Sequence, residues 1–336
     1  GIRHGSLLAA ETGRAFLRVF NRAGACTKTF DVQQHMSQAL KAEKSHRHVA
    51  KKMAGAPAVR SQFLSAAHSG NEHGARKSAG IQHEVASEHK NPWGIVSVLY
   101  ISDHNQVCIS TENAALTFWD VEMDTLKGRI QCDLVQAGMA YDPSHHDVWT
   151  WSGESSDYAI NVWMIATKLL KYRLDMHTDT TMAVEPIAEL HMMASAGMDR
   201  TIIIWDCGVV EHSPHSPHGH GHIDLGPAEV VGVLRKHRRG IKALAWSKQH
   251  HLLFSGGFDY QVLAWDMHNT TVPVLVLEGH RSPVTVLTPF LTGGEERLAS
   301  VGEDGVLRIW SLSQSPSASH SLMPTQTLNL VRGGVA

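Results

Sequence analysis

Neither sign of charge is in excess along this chain. Its 336 residues carry 30 Lys and Arg against 32 Asp and Glu, a formal net charge of -2, so the broad basic surface rewarded by nucleic acid or an anionic membrane is missing from the composition. Cysteine is scarce as well. Cys26, Cys108, Cys132 and Cys207 lie far apart without a CxxC pair, which argues against a disulfide framework or a zinc clip and fits buried thiols in a reducing compartment, the cytoplasm. No stretch approaches the ~18 continuous apolar residues of a membrane helix, and the segment from Gly1 to Phe20 has neither the apolar run nor the cleavage pattern of a secretory signal. A start at Gly1 rather than Met reads as a piece of a longer protein.

Catalytic signatures are absent too. There is no phosphate-cradling GxxxxGK, no GxGxxG after a strand and no GxSxG turn for an activated serine. His83-Glu84-Val85-Ala86-Ser87-Glu88-His89 superficially resembles a zinc-protease helix, but Ser87 stands where the second ligand would have to share a helical face with His83. The plentiful residue is histidine, with 24 copies, the side chain that gains charge between about pH 7 and 5.5.

Tryptophan reveals a repeat. Trp119, Trp163, Trp205, Trp265 and Trp310 each end a short apolar run, at intervals of 44, 42, 60 and 45 residues. The segments before them align: SAGMDRTIIIWD (Ser195 to Asp206), SGGFDYQVLAWD (Ser255 to Asp266), SVGEDGVLRIWS (Ser300 to Ser311), SGESSDYAINVWM (Ser152 to Met164) and, most weakly, STENAALTFWD (Ser110 to Asp120). Each pairs two β-prone runs across a tight turn, with Asp157, Asp199, Asp259 or Asp304, or Asn113 in the weak copy, six residues before the Trp. A third β-prone run precedes the hairpin, as in Gly94 to Tyr100, Gly240 to Trp246 and Pro283 to Leu287, and before it stands His89, His177, His237 or His280.

These residues resemble the WD-repeat family, whose β-propellers are built from four-stranded blades recurring every ~40–45 residues. The resemblance runs from about Glu88 to Leu312, and GHRSPVTVLTPFLTGGEERLASVGEDGVLRIW matches the family closely along its length. It implies an all-β propeller of four-stranded antiparallel blades, here an incomplete ring or part of a seven-bladed one. It also implies a hydrogen-bonded chain of loop His, turn Asp, second-strand Ser and third-strand Trp. Carried over, the chain is His177, Asp199, Ser195 and Trp205; His237, Asp259, Ser255 and Trp265; and His280, Asp304, Ser300 and Trp310. The second copy offers Asp157, Ser152 and Trp163 with no evident His.

The expected organisation is a partial, degenerate blade over 1–30, with Phe20 at the Trp position; a polar inserted or linking segment over 31–87, partly helical or disordered; five blades over 88–331; and a tail over 332–336. The third interval is long because of a His- and Pro-rich loop at 208–227, holding His212, His215, His218, His220 and His222. Imidazoles chelate metals, but nothing there fixes a tetrahedral set, so the loop reads as solvated low-complexity chain with no metal or cofactor.

The functional surface is then the propeller face that the resemblance assigns to the His and Asp loops. Arg238, Arg239 and Arg281 follow the loop histidines, and Met198 and Phe258 precede the turn aspartates. Arginine beside apolar anchors suits a peptide with an acidic or phosphorylated group. The reading is a non-enzymatic scaffold binding other proteins, cytoplasmic and with a cytoskeletal or ciliary setting. It involves no nucleic acid and no membrane insertion. Its alternatives are an accessory propeller of a larger enzyme and a histidine-based metal or pH sensor.

Overall fold

In a computed structural model, residues 7–10, 16–20, 26–34, 36–37, 91–120, 122, 125–208, 228–268, 272–312 and 321–330 are described. Strands dominate. At the N-terminal end, β1 (Leu7–Ala10), β2 (Phe16–Phe20) and β3 (Cys26–Asp31) form a three-stranded antiparallel sheet. The first full blade consists of β4 (Ile95–Ile101), β5 (Gln106–Thr111), β6 (Ala115–Asp120) and β7 (Thr125–Gln131). The second comprises β8 (Gly138–Asp142), β9 (Asp147–Trp151), β10 (Ile160–Met164) and β11 (Leu170–Leu174). The third comprises β12 (Thr181–Ile187), β13 (Met192–Gly197), β14 (Thr201–Asp206) and β15 (Glu229–Arg235).

The fourth contains β16 (Ile241–Ser247), β17 (Leu252–Gly257), β18 (Val262–Asp266) and β19 (Leu275–Leu277). The fifth begins with β20 (Val284–Thr292), β21 (Glu295–Gly302) and β22 (Val306–Ser311). The chain then lays β23 (Ser321–Leu322) parallel to β19 of the fourth blade before β24 (Gln326–Asn329) completes the fifth. Inner strands β4, β8, β12, β16 and β20 pack side by side in that order, and among the described residues the ring is not closed.

Two irregularities recur at fixed places. The inner strand slips register against its neighbour at Ile95/Ser97, Thr181/Ala183, Ile241/Ala243 and Val284/Val286. The outer strand slips just before the tryptophan, at Phe118/Trp119, Val162/Trp163 and Ile204/Trp205. Bulges of this kind add local twist, and their repetition gives successive blades one shape. The same slip occurs at Val19/Phe20 between β2 and β3, so Phe20 occupies the tryptophan place in the N-terminal sheet.

The apolar core is a series of seams between consecutive blades. Trp149 and Trp205 meet edge to face at 6.5 Å between the second and third blades. Leu244, Trp246 and Trp265 fill the next seam, and Phe254, Leu298 and Trp310 the one after. Burying a large side chain in such a seam contributes about 1.5–3 kcal/mol. The two outer faces of the arc differ. On the first blade, Val32 and Met36, from a short helical stretch, are buried against Ile95, Val107, Ile109 and Trp119. The linking segment expected over 31–87 therefore begins with residues that belong to a blade core; residues 38–90 lie outside those described. On the fifth blade, Val286 is 49% and Leu328 51% exposed, whereas Ala243 and Leu277, on the corresponding face of the fourth, are buried by the fifth.

Polar ties cross every seam at the turns joining inner strand to second strand. Tyr141 Oη donates to Asp103 Oδ2 (2.8 Å), and Ser144 Oγ meets His191 Nδ1 (3.2 Å). Trp246 Nε1 donates to Glu189 Oε2 (2.9 Å), and Glu296 accepts from Ser247 Oγ and the Gln249 amide. A further tie joins the third and fourth blades: the Trp246 amide donates to Glu185 Oε1 (3.1 Å), and burial pushes the Glu185 carboxyl up to about 7, against the weaker opposing effect of this hydrogen bond.

A folded-state pKa raised above its unfolded value contributes stability that is complete below the unfolded pKa and lost as pH rises through the folded one. Glu185 therefore favours folding in acid and opposes it above pH 7. With partial exposure discounting the shift, the difference is about 2 kcal/mol. Glu185→Gln is expected to raise the thermal midpoint at pH 8 and leave it nearly unchanged at pH 4.5, checked by melting curves at both.

Candidate functional site

One end of the arc carries the loops between blades together with the tight turns joining second and third strands. In the third blade the site is a closed hydrogen-bond chain. His177 Nδ1 faces Asp199 Oδ2 at 2.9 Å, its Nε2 meets Ser195 Oγ at 2.8 Å, and Trp205 Nε1 donates to the same oxygen at 2.8 Å. The fourth blade repeats it: His237 Nδ1 lies 2.8 Å from Asp259 Oδ2, Nε2 lies 2.8 Å from Ser255 Oγ, and Trp265 Nε1 donates to Ser255 at 2.8 Å. A carboxylate only accepts, so Nδ1 of each His carries the proton.

Both aspartates also hold the loop backbone, accepting from the amides of Thr178 and Arg238. Burial alone would raise the Asp199 and Asp259 carboxyls, but hydrogen bonds and charge attraction from His177 and His237, aided by the amides, hold them below the usual range. The loops are tight. A Cβ on Gly257 would stand 2.2 Å from the Gly240 carbonyl oxygen, so no side chain fits there.

The fifth blade departs from the expected set. His280 Nε2 meets Ser300 Oγ at 2.6 Å and Trp310 Nε1 donates to Ser300 at 2.8 Å, but Arg308 Nη1, at 2.9 Å, occupies the place of the carboxylate at Nδ1. Asp304 is exposed, and its carboxylate is turned to Ser282 and the Val306 amide. The reason is position: Arg308 pairs in register with Ser300, on the buried side of β22, where the third and fourth blades carry Ile203 and Leu263. A guanidinium only donates, so the proton of His280 sits on Nε2 and the polarity of the chain is reversed. Burial first, then the Arg308 charge, push the His280 imidazole down to about 4.

The remaining blades are reduced further. In the second, Trp163 Nε1 donates to Thr150 Oγ1 (2.9 Å), and Ser152 Oγ instead bonds the Asp157 carbonyl. Strand register sets Thr150 where Ser195 stands in the third blade, because the second blade has a longer turn. Asp157 is held by Arg173, with Nη2 to Oδ1 at 2.6 Å. In the first blade Ile109 occupies the serine register and Trp119 Nε1 donates to Thr117 Oγ1 at 2.9 Å. His89 lies outside the described residues; Asn91 stands three residues before Gly94, as His237 does before Gly240, and Gly94 and Gly240 accept the equivalent turn amides.

Around this scaffold Arg238, Arg239 and Arg281 are exposed. Met198 and Phe258 are half-buried. Met198 lies over Gly240, whose Cβ would stand 2.5 Å from its sulfur, and Lys242 Nζ sits 5.6 Å from the Phe258 ring centroid while pairing with Glu303 at 2.8 Å. Lys242 and Glu303, which the repeat alignment did not single out, therefore belong to this face.

Comparison with known proteins places the arrangement. The family model described as WD domain, G-beta repeat matches residues 170–206, 228–266 and 271–311. Each matched stretch takes in the outer strand of one blade and ends on the tryptophan strand of the next. The nuclear distribution protein PAC1 of Arthroderma otae is 30% identical over 165 residues, 48% of this chain and 35% of that protein. The cilia- and flagella-associated protein 337 B of Tetrahymena thermophila is 25% identical over 157 residues, 46% of this chain and 11% of that protein. The chain thus spans about a third or less of these relatives' length.

Among solved structures, a chain in the crystal structure of the mitotic checkpoint complex matches with a TM-score of 0.55 at 19% identity, covering 70% of this chain and 65% of that one. The structure of U3-55K gives 0.53 at 19%, covering 70% and 64%. At that identity the likeness is one of fold.

Two contrasts follow from the geometry. Ser255→Ala leaves the buried Trp265 N–H and His237 Nε2 without partners, a cost of about 2–4 kcal/mol, measured by denaturant unfolding. Asp259→Asn is expected to cost more than about 1 kcal/mol, whereas Asp304→Asn should stay within ~0.5 kcal/mol, because Asp304 does not hold its histidine.

Proposed function

We propose, from the premise that this chain carries WD40 repeats and folds as an arc of WD40 propeller blades, that it is a non-enzymatic scaffold within a larger assembly. WD-repeat proteins typically mediate protein–protein interaction, and their propellers are generally non-catalytic. The observation that carries the reading is the loop face of the third to fifth blades. Its backbone is held by buried His-Ser-Trp chains while Arg238, Arg239 and Arg281 are exposed, with no side-chain ion pair among the described residues. A rigid frame lowers the ordering cost of binding, and arginine beside partly buried Met198 and Phe258 suits a peptide with an acidic or phosphorylated group and an apolar anchor.

A cytoplasmic setting on the cytoskeleton or cilium is supported by the relatives named for nuclear distribution and for cilia and flagella. No helix among the described residues is long and apolar enough to cross a membrane. A second reading, the accessory propeller of a larger enzyme, is favoured only by the small share of its relatives that the chain spans.

Arg238→Glu combined with Arg281→Glu is expected to weaken binding of a synthetic acidic peptide with a central leucine by about tenfold or more, read by fluorescence anisotropy. Phe258→Ala should weaken it less, with the melting temperature of the arginine variant unchanged. Undiminished binding by both variants would sink the reading.

A further inference from the structure

We infer that the loop face is electrically polarised across the arc and selects a protein segment of matching polarity, basic at one end, apolar in the middle and acidic at the other. This rests on the docking reading above and specifies its partner. The tight turn of the third blade and the loops entering the fourth and fifth expose Arg200, Lys236, Arg238, Arg239 and Arg281. Against these and Lys242 stand five carboxylates, so the positive excess is small but outward-facing: Asp199 and Asp259 are half-buried on the histidines and Glu303 is paired with Lys242, while Glu278 and Asp304 are exposed.

The tight turn of the second blade and the loops entering the second and third blades carry the opposite sign. Asp133, Glu154 and Asp175 are exposed and Asp179 is half-buried; of the cations there, Arg173 is taken by Asp157 and Arg129 lies on Gln131 beside the turn of the first blade. The sectors share one end of the arc because every blade-to-blade loop meets the tight turn of its own or the next blade. Cys132 donates to the Ala114 carbonyl, Arg173 pairs with Asp157, and His177 and His237 reach Asp199 and Asp259.

At the boundary stands Met176, 53% exposed and immediately before His177, with Met198 half-buried on the basic side. Thioether side chains adapt to varied apolar partners, so the boundary suits the uncharged centre of a segment whose ends are charged. Complementary charge mainly sets register and on-rate and penalises the wrong polarity. A uniformly acidic segment would meet repulsion from Asp133, Glu154 and Asp175, and a uniformly basic one from the arginines.

The test uses the whole chain with three synthetic peptides of equal length: a lysine block, apolar spacer and glutamate block; the glutamate block with the spacer alone; and the lysine block with the spacer alone. Fluorescence anisotropy at low salt is expected to rank the bipolar peptide about tenfold tighter than either of the others, with the advantage fading at high salt as charges are screened. Asp133→Lys with Glu154→Lys, both exposed, should bring the bipolar peptide down to the affinity of the glutamate peptide and leave the latter no weaker. Equal affinity of the bipolar and glutamate peptides, or no response to the double reversal, would overturn the polarity and leave the docking face standing. Failure of both the bipolar and glutamate peptides to bind would overturn the docking reading itself.

Discussion

A single serine hydroxyl carries much of the order in each of the three best-formed blades. Ser195, Ser255 and Ser300 lie fully inside, on the second strand, and each hydroxyl accepts the indole N–H of a tryptophan on the third strand and hydrogen-bonds the Nε2 of a histidine from the incoming loop, donating to it in the third and fourth blades and accepting in the fifth. Three pieces of chain distant in sequence are thereby held at one atom. Since none of these groups reaches bulk water, each is expensive to leave unpaired. The loop that enters the blade is pinned by the same hydroxyl that anchors the tryptophan, so the position of the exposed face follows from the buried core.

From that constraint the blades can be ordered. The third and fourth close the chain with a carboxylate that also holds the loop amides. The fifth keeps serine, tryptophan and histidine but turns the histidine over to Arg308, which frees Asp304 to the surface. The second retains a threonine-to-tryptophan bond, and in the first the tryptophan finds a hydroxyl only two residues away. Loop rigidity in the sense of buried polar ties therefore declines away from the third and fourth blades, the two bearing Met198, Phe258 and the Arg238-Arg239 pair. The seams compensate elsewhere. Tyr141 on Asp103, His191 on Ser144, Trp246 on Glu189 and Glu296 on Ser247 join every pair of successive blades at the opposite end.

The repeat itself was open to reading because tryptophan, the turn aspartate and the strand patterns recur at nearly constant spacing. Where the spacing changes, the reading goes astray. Ser152 looked like the second blade's hydroxyl by its place before the turn, yet the turn from Gly153 to Tyr158 is longer than its counterparts and shifts the register to Thr150. Arg308 was visible in LRIW, but its side chain lies on the buried face of β22 against His280, and only strand register reveals that a cation outcompetes Asp304 there. The ties between blades left no pattern to find, since Tyr141, His191, Trp246 and Glu296 are different residues doing the same geometric task.

What the sequence alone determined is the unit: a hairpin with an inner strand, its tryptophan, its turn aspartate and its loop histidine, repeated with the spacing of a four-stranded blade. Local patterning and period suffice for that, because each blade's hydrogen bonds are made largely within about forty residues. The tertiary structure decided what happens between units. It placed Val32 and Met36 over the first blade's outer face and left Val286 and Leu328 exposed on the fifth. It chose between Asp304 and Arg308 for His280 and brought exposed Asp133, Glu154 and Asp175 to the same end of the arc as Arg238, Arg239 and Arg281. Those outcomes depend on which side chains reach across a seam, on register shifts of one or two residues, and on charges brought together from blades far apart in the chain.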